Sequence, residues 1–183
     1  MCNVSRYFAL LCLLFSLGAC VTSEEQKQKE KQHHSITPFL MEPLQQYVCS
    51  AKIYISDATK AFQLSGKAHG ESYDIELGGA LEPLVNAMFW IESSALTGDR
   101  PQVQVNLGFA NGSFSRLVNS GAMEVGVSLQ FQIFKPTGQS YSDAVTGLSS
   151  VESVDRAAGD ALEQALVSLG NNLVSTGVCH LAQ

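Results

Sequence analysis

Residues 123–133 read Met-Glu-Val-Gly-Val-Ser-Leu-Gln-Phe-Gln-Ile, and their alternation decides the fold. Met123, Val125, Val127, Leu129, Phe131 and Ile133 fall on one side of an extended chain and Glu124, Gly126, Ser128, Gln130 and Gln132 on the other, because successive strand side chains point to opposite faces. A strand with one apolar and one polar face belongs in an antiparallel sheet covered on a single side. The cover follows in the chain. After Ser149-Ser150, with Ser153 as an alternative cap, Val154, Ala158, Ala161, Leu162, Ala165, Leu166, Leu169 and Leu173 recur at helical spacing. This Ala-rich stripe permits close approach to a sheet, and Gly170-Asn171-Asn172 is expected to begin the fraying.

Working outward, Pro136-Thr137-Gly138 predicts a turn into a return strand over 140–146. On the other side Val103, Val105, Leu107 and Phe109 alternate up to Asn111-Gly112, and Phe114 and Val118 resume, which predicts a hairpin turning at the Asn-Gly pair. Pairing Phe109 with Phe114 puts Arg116 opposite Leu107, so either Arg116 snorkels to the edge or the hairpin has a bulge. Earlier, residues 51–56, 61–64 and 73–77 read as short strands with turns at Gly66 and Gly70. Gly78-Gly79 breaks that pattern, and Leu81, Leu84, Val85, Met88 and Phe89 predict a helix from about 80 to about 94, with Pro83 tolerable only in its first turn. The expected fold is α+β: a mostly antiparallel sheet with two helices packed on one face.

A chain of 183 residues with 45% hydrophobic and 15% charged content suits one globular domain. Its N-terminus has a different character. Arg6 gives a positive start, residues 7–17 an apolar run, and Leu17-Gly18-Ala19-Cys20 follows, the layout of an export signal. That run is too short to span a bilayer, which takes roughly 20 apolar residues. Residues 21–37 are almost entirely polar and cannot offset their ordering entropy by burial. Three segments are therefore expected: a signal over 1–19, a lipidated flexible tether over 20–37 and one α+β domain over 38–183. Without residues 1–19 the chain keeps ten Lys and Arg against seventeen Asp and Glu, a formal charge of −7. No basic stripe exists to release counterions, so no nucleic-acid partner is expected.

Leu17-Gly18-Ala19-Cys20 resembles the lipobox of bacterial lipoproteins. The resemblance implies cleavage before Cys20, a diacylglyceryl thioether on its sulfur and acylation of the new amine. It makes the membrane a partner through that anchor, and several acyl chains hold durably where one binds only marginally. Val21, in place of an aspartate, implies sorting to the outer membrane of a diderm host, with the domain facing the periplasm. The run 123–173, with Gly78-Gly79-Ala80-Leu81 and Thr137-Gly138-Gln139, is similar in pattern to small periplasmic lipoproteins such as the YajG-type family. That likeness implies a non-enzymatic envelope component of the kind found in secretion, flagellar or assembly complexes.

Once the signal is removed and Cys20 lipidated, Cys49 and Cys179 are the remaining thiols. An exported pair invites a disulfide. Two buried thiols, or a nucleophilic cysteine with His180 as its base, are the competing readings. No phosphate loop, Cys-x-x-Cys, His-Glu-x-x-His or Gly-x-Ser-x-Gly occurs. No catalytic residue, cofactor or metal is expected. His33-His34 make an incomplete metal set and read as linker, and the Asn111-Gly112-Ser113 sequon is explained by its turn. Asp57, Asp74, Glu76 and Glu92 read as solvated strand ends rather than a carboxylate pair. A pocket joining acids to His69 or His180 would instead point to a hydrolase.

Two features suggest contact with a partner protein or self-association. The polar face of the long strand, with Gly126, Ser128, Gln130 and Gln132, offers a surface. Phe89 and Trp90 are adjacent, so one of them is turned from the core, as an anchor or beneath the linker. The expected function is a non-catalytic interaction or assembly module of the envelope. The alternative is a carrier that holds a lipid or other apolar ligand between sheet and helices.

Overall fold

In the computed structural model, residues 32–36, 44–92 and 103–182 are described. Their elements in chain order are β1 (Gln32–Ser35), β2 (Tyr47–Cys49), β3 (Ala51–Ile55), α1 (Asp57–Lys60), β4 (Gln63–Ala68), β5 (Glu71–Glu76), α2 (Leu77–Met88), β6 (Phe89–Ile91), β7 (Val103–Arg116), β8 (Met123–Phe134), β9 (Ser140–Val151), α3 (Val154–Ser175) and β10 (Cys179–Leu181). All lie in one compact unit, Gln32–Gln183. The fold is α+β, as its patterning requires.

The central sheet has the order β3-β7-β8-β9, with β3 parallel to β7 and the other neighbours antiparallel. The alternating run is β8, and its apolar set from Met123 to Ile133 is buried. Two smaller sheets, β1-β5-β4 and β10-β2-β6, each contain one parallel pair as well. The core face of the central sheet has two covers. α3 lies across β8 and β9, while β4 packs on the second half of β7. There Phe62 stacks on Phe109 at 4.4 Å and Tyr73 meets Phe114 edge-on at 5.7 Å. α2 packs against α3.

α3 approaches closely because its stripe is small. Ala157, Ala158, Ala161 and Ala165 are fully buried, and a Cβ on Gly147 of β9 would lie 1.9 Å from the Ala161 carbonyl oxygen. Instead of fraying at Gly170, the helix continues to Ser175. Tyr47 is the reason: its ring occupies the space above Gly170, 2.2 Å from where a Cβ would be, and its one hydroxyl proton is shared between the Val167 carbonyl at 3.1 Å and Asn171 Oδ1 at 3.2 Å.

Asn111-Gly112 is not a turn. β7 continues through it to Arg116, with Asn111 opposite Ser128 and Gly112 opposite Val127. A bulge between Phe109 and Asn111 shifts the alternation by one residue. Phe109 and Phe114, of opposite parity, thereby face the same core, and Val125 and Val127 gain a partner strand. The chain turns instead over 117–122, where Gly121 has φ +70° and its carbonyl accepts from Arg116 Nε at 2.9 Å. Arg116 thus sits opposite Met123, not Leu107.

Three further expectations shift. Gly66 lies inside β4, and the turn after it is His69-Gly70, both at positive φ. α2 begins at Leu77, with Gly78-Gly79 in its first turn, since a Cβ on Gly78 would be 2.3 Å from the Lys60 carbonyl. Pro83 therefore stands in the helix interior and leaves the Gly79 carbonyl without its helical donor; both residues are exposed to water. α2 stops at Met88 because Phe89–Ile91 is drawn out as a strand parallel to β2. Among the described residues, no helix is long and apolar enough to cross a membrane.

Candidate functional site

The signal, Cys20 with its expected lipid, Val21 and the tether up to residue 31 lie outside the described residues. The expected linker does not extend through 32–36. Gln32–Ser35 is β1, paired in parallel with β5, and Ile36 is buried. The two histidines of this strand have polar partners. His33 Nε2 lies 2.8 Å from Glu76 Oε1, His34 Nδ1 lies 2.8 Å from Asp155 Oδ1, and the His34 ring stacks on Tyr73. Both histidines clasp the strand leading from the N-terminus onto the domain.

Cys49 and Cys179 form the expected disulfide, placed by the antiparallel pairing of β2 and β10 that sets the two residues directly opposite. The acids do not converge. Glu76 serves His33, Asp74 accepts from the Ser65 hydroxyl, Glu92 lies 3.8 Å from His180 Nδ1, and Asp57 sits in the first turn of α1. His69 occupies a hairpin turn. Among the described residues no group of His, Cys, Asp and Glu is arranged to hold a metal. Phe89 and Trp90 divide as adjacency demands: Phe89 is buried and Trp90 is 58% exposed.

The concave surface is on the wet face of the central sheet. An open groove of about 820 Å³ runs across β3, β7, β8 and β9, walled by α1. Cross-strand register builds it: Tyr54 lies beside Asn106, Asn106 beside Gln132 and Gln132 beside Ser142, and the next row is Gly108, Gln130 and Ala144. Gly108 supplies a bare floor, with Thr59 of α1 at one side. Its hydrogen-bonding side chains are amides and hydroxyls, set among apolar surface to which Tyr54, Ile55, Ala110 and Ala144 contribute; Lys52 Nζ sits over the Tyr54 ring at 4.9 Å. At the far end the backbone of Asp143 lines the groove while its carboxylate turns to the α3 side, where it accepts from the Tyr141 hydroxyl at 2.8 Å, the Ala144 N–H at 2.8 Å and the Asn172 side-chain amide at 3.4 Å. The tyrosine hydrogen bond, then the backbone one, holds this carboxyl below its ordinary range, and the same hydrogen bond raises the Tyr141 hydroxyl.

Gln130 and Gln132 were legible as the polar face of the long strand. Tyr54, Asn106, Thr59 and Ser142 were not, because four other elements, β3, β7, α1 and β9, bring them alongside. The groove also lies elsewhere than the cleft between sheet and helices that the carrier reading expects. The layer between sheet and helix is filled by Leu129, Phe131, Leu162, Leu166, Leu169 and Leu173, and the opening is on the opposite face.

Fold and groove define a class: an α+β domain whose central sheet is helix-covered on one side and carries an open groove with converging amides and hydroxyls on the other. No family model matches the chain, and no curated protein matches it in sequence. Solved structures with a similar course include a Xanthomonas campestris protein of the DUF330 family, 16% identical over 80% of this chain and 94% of that one, with a TM-score of 0.42. A minor lipoprotein from Acinetobacter baumannii is 11% identical over 72% of this chain and 96% of its own, with a TM-score of 0.37. A Neisseria meningitidis lipoprotein is 12% identical over 70% and 96%, with a TM-score of 0.30.

Proposed function

We propose that the chain is a lipoprotein anchored to the outer membrane through Cys20, without catalytic function, whose periplasmic domain docks an envelope partner protein on the grooved face of its central sheet. The groove carries this reading: side-chain amides of Gln130 and Gln132 and the hydroxyl of Ser142 converge there with no internal hydrogen-bond partner among the described residues. Such groups favour a polar protein surface over an apolar ligand, because an oily molecule would strip them of water and return no hydrogen bond. Leu17-Gly18-Ala19-Cys20 supplies the anchor, and no metal or cofactor enters the reading.

The anchor and the dock are tested separately. Cys20→Ser should abolish fatty-acid labelling and leave the precursor unprocessed in its own cell; normal maturation of that variant rejects the anchor. A photo-crosslinking residue in place of Gln132 should trap one discrete heterologous protein in intact cells, and the same residue in place of Glu82, on the exposed side of α2, should not. Equal yields from the two positions reject the groove as the dock.

A further inference from the structure

The central sheet ends at β9, and β9 is an unusual strand to leave at an edge. It is twelve residues long, pairs with β8 without a bulge from Ser140 to Val151, and has no described strand on its other side. Exposed edges are ordinarily blunted by Lys, Pro or a bulge, since a row of unpaired backbone groups is a template for another chain. Ser140–Val151 contains no Lys, Arg or Pro, and its one charge is Asp143.

Which backbone groups face outward follows from the hairpin. Lys135 N–H donates to the Gln139 carbonyl, making 135 and 139 a hydrogen-bonded pair. Antiparallel pairs alternate between bonded and non-bonded. Tyr141, Asp143, Val145, Gly147 and Ser149 therefore bond to β8, while Ser142, Ala144, Thr146, Leu148 and Ser150 turn their N–H and C=O away. The Ala144 N–H agrees independently: it is held by the Asp143 carboxylate, not by β8.

We infer that this outward edge of β9 takes an extended segment of a partner protein as a fifth strand. The inference rests on the docking reading and names the part of the partner that engages. Only an extended backbone offers donors and acceptors at every second residue, a repeat of about 6.8 Å. A second copy's β9 does not fit. Paired strands lie about 4.8 Å apart, whereas packed helices need roughly 8–10 Å, and α3 sits directly over Gly147 of β9. Ser142 and Ala144 also line the end of the groove, so the added strand continues that surface. With Asp143 as the charge on β9, the segment is free of acidic residues on its α3 side and carries an apolar residue beside the exposed Leu148 on the other.

Proline tests this directly, because Thr146→Pro deletes an outward N–H and spares the ladder to β8. A p-benzoylphenylalanine in place of Leu148 should trap the partner in intact cells. Thr146→Pro or Ser142→Pro should cut that adduct at least tenfold, and Thr146→Ala should keep it, with slow exchange of β8 amides confirming the fold of each variant. In the purified full-length protein, the N–H groups of Thr146 and Leu148 should exchange at least 100-fold faster than those of Val145 and Gly147. Slow exchange at Thr146 and Leu148 means the chain covers its own edge and overturns the inference, as does an adduct between two copies. Should the proline variants keep the adduct, strand addition is wrong while trapping from Gln132 still upholds the dock; loss of trapping from both Leu148 and Gln132 in the parent protein rejects both.

Discussion

Gly147 and Gly79 show how differently one residue type acts in two places. A Cβ on Gly147 would press on the Ala161 carbonyl at 1.9 Å, and a helix backbone cannot move aside without dragging its buried stripe along. Gly147→Ala should cost roughly 1–3 kcal/mol, the range for overpacking a filled interior. Gly79 is helical, exposed and has nothing within 4 Å of a Cβ, so Gly79→Ala should instead stabilise by about 0.4–1 kcal/mol through the unfolded chain. Urea denaturation of the two variants beside the parent protein checks both signs. The apolar residues at alternate positions of β8 needed no structure to be placed. Neither glycine's role was legible, because each depends on what another element puts in front of it.

Among the elements, β1 was the one hidden by composition. Gln32–Ser35 has no apolar pattern, and its cohesion comes from Glu76, Tyr73 and Asp155, the last 121 positions from His34. Pairing with β5 gives the backbone a ladder, and the imidazole contacts hold it there. His34→Ala should leave the fold intact, since a single side-chain hydrogen bond contributes about 0.5–1.5 kcal/mol, yet loosen this strand. The expected result is faster amide exchange over 32–35 and unchanged exchange in β8; unchanged protection of β1 would show that the clasp does not hold it. The Asn111-Gly112 pair teaches the converse. Its intrinsic turn preference is strong, but ending β7 there would leave Val125 and Val127 paired with β9 alone, and a bulge keeps Phe109 and Phe114 on one face. Burial outweighed local propensity.

For the molecule as a whole, the Cys49–Cys179 bond ties the first strand after the 37–43 segment to the last strand of the domain, 130 residues apart. Loop-closure entropy for such a span is on the order of 5 kcal/mol, and losing a native disulfide ordinarily costs about 2–5 kcal/mol. The double variant Cys49→Ser, Cys179→Ser should lose stability within that range by urea denaturation, with β2 and β10 fraying first; an unchanged midpoint would show that their pairing needs no bond. By itself the sequence determined the α+β class, β8, the stripe of α3 and the turn at Gly138, and it singled out Cys49 and Cys179 as candidates for a bond. Those are set by periodicity and by residue types that act on their immediate neighbours. Tertiary structure alone decided the bulge in β7, the strand at Gln32–Ser35, the parallel pairs, the assembly of the groove and the order of strands in the central sheet. Each of these depends on contacts between residues distant in the chain, where burial and backbone hydrogen bonding are satisfied jointly by several elements and no local pattern encodes the result.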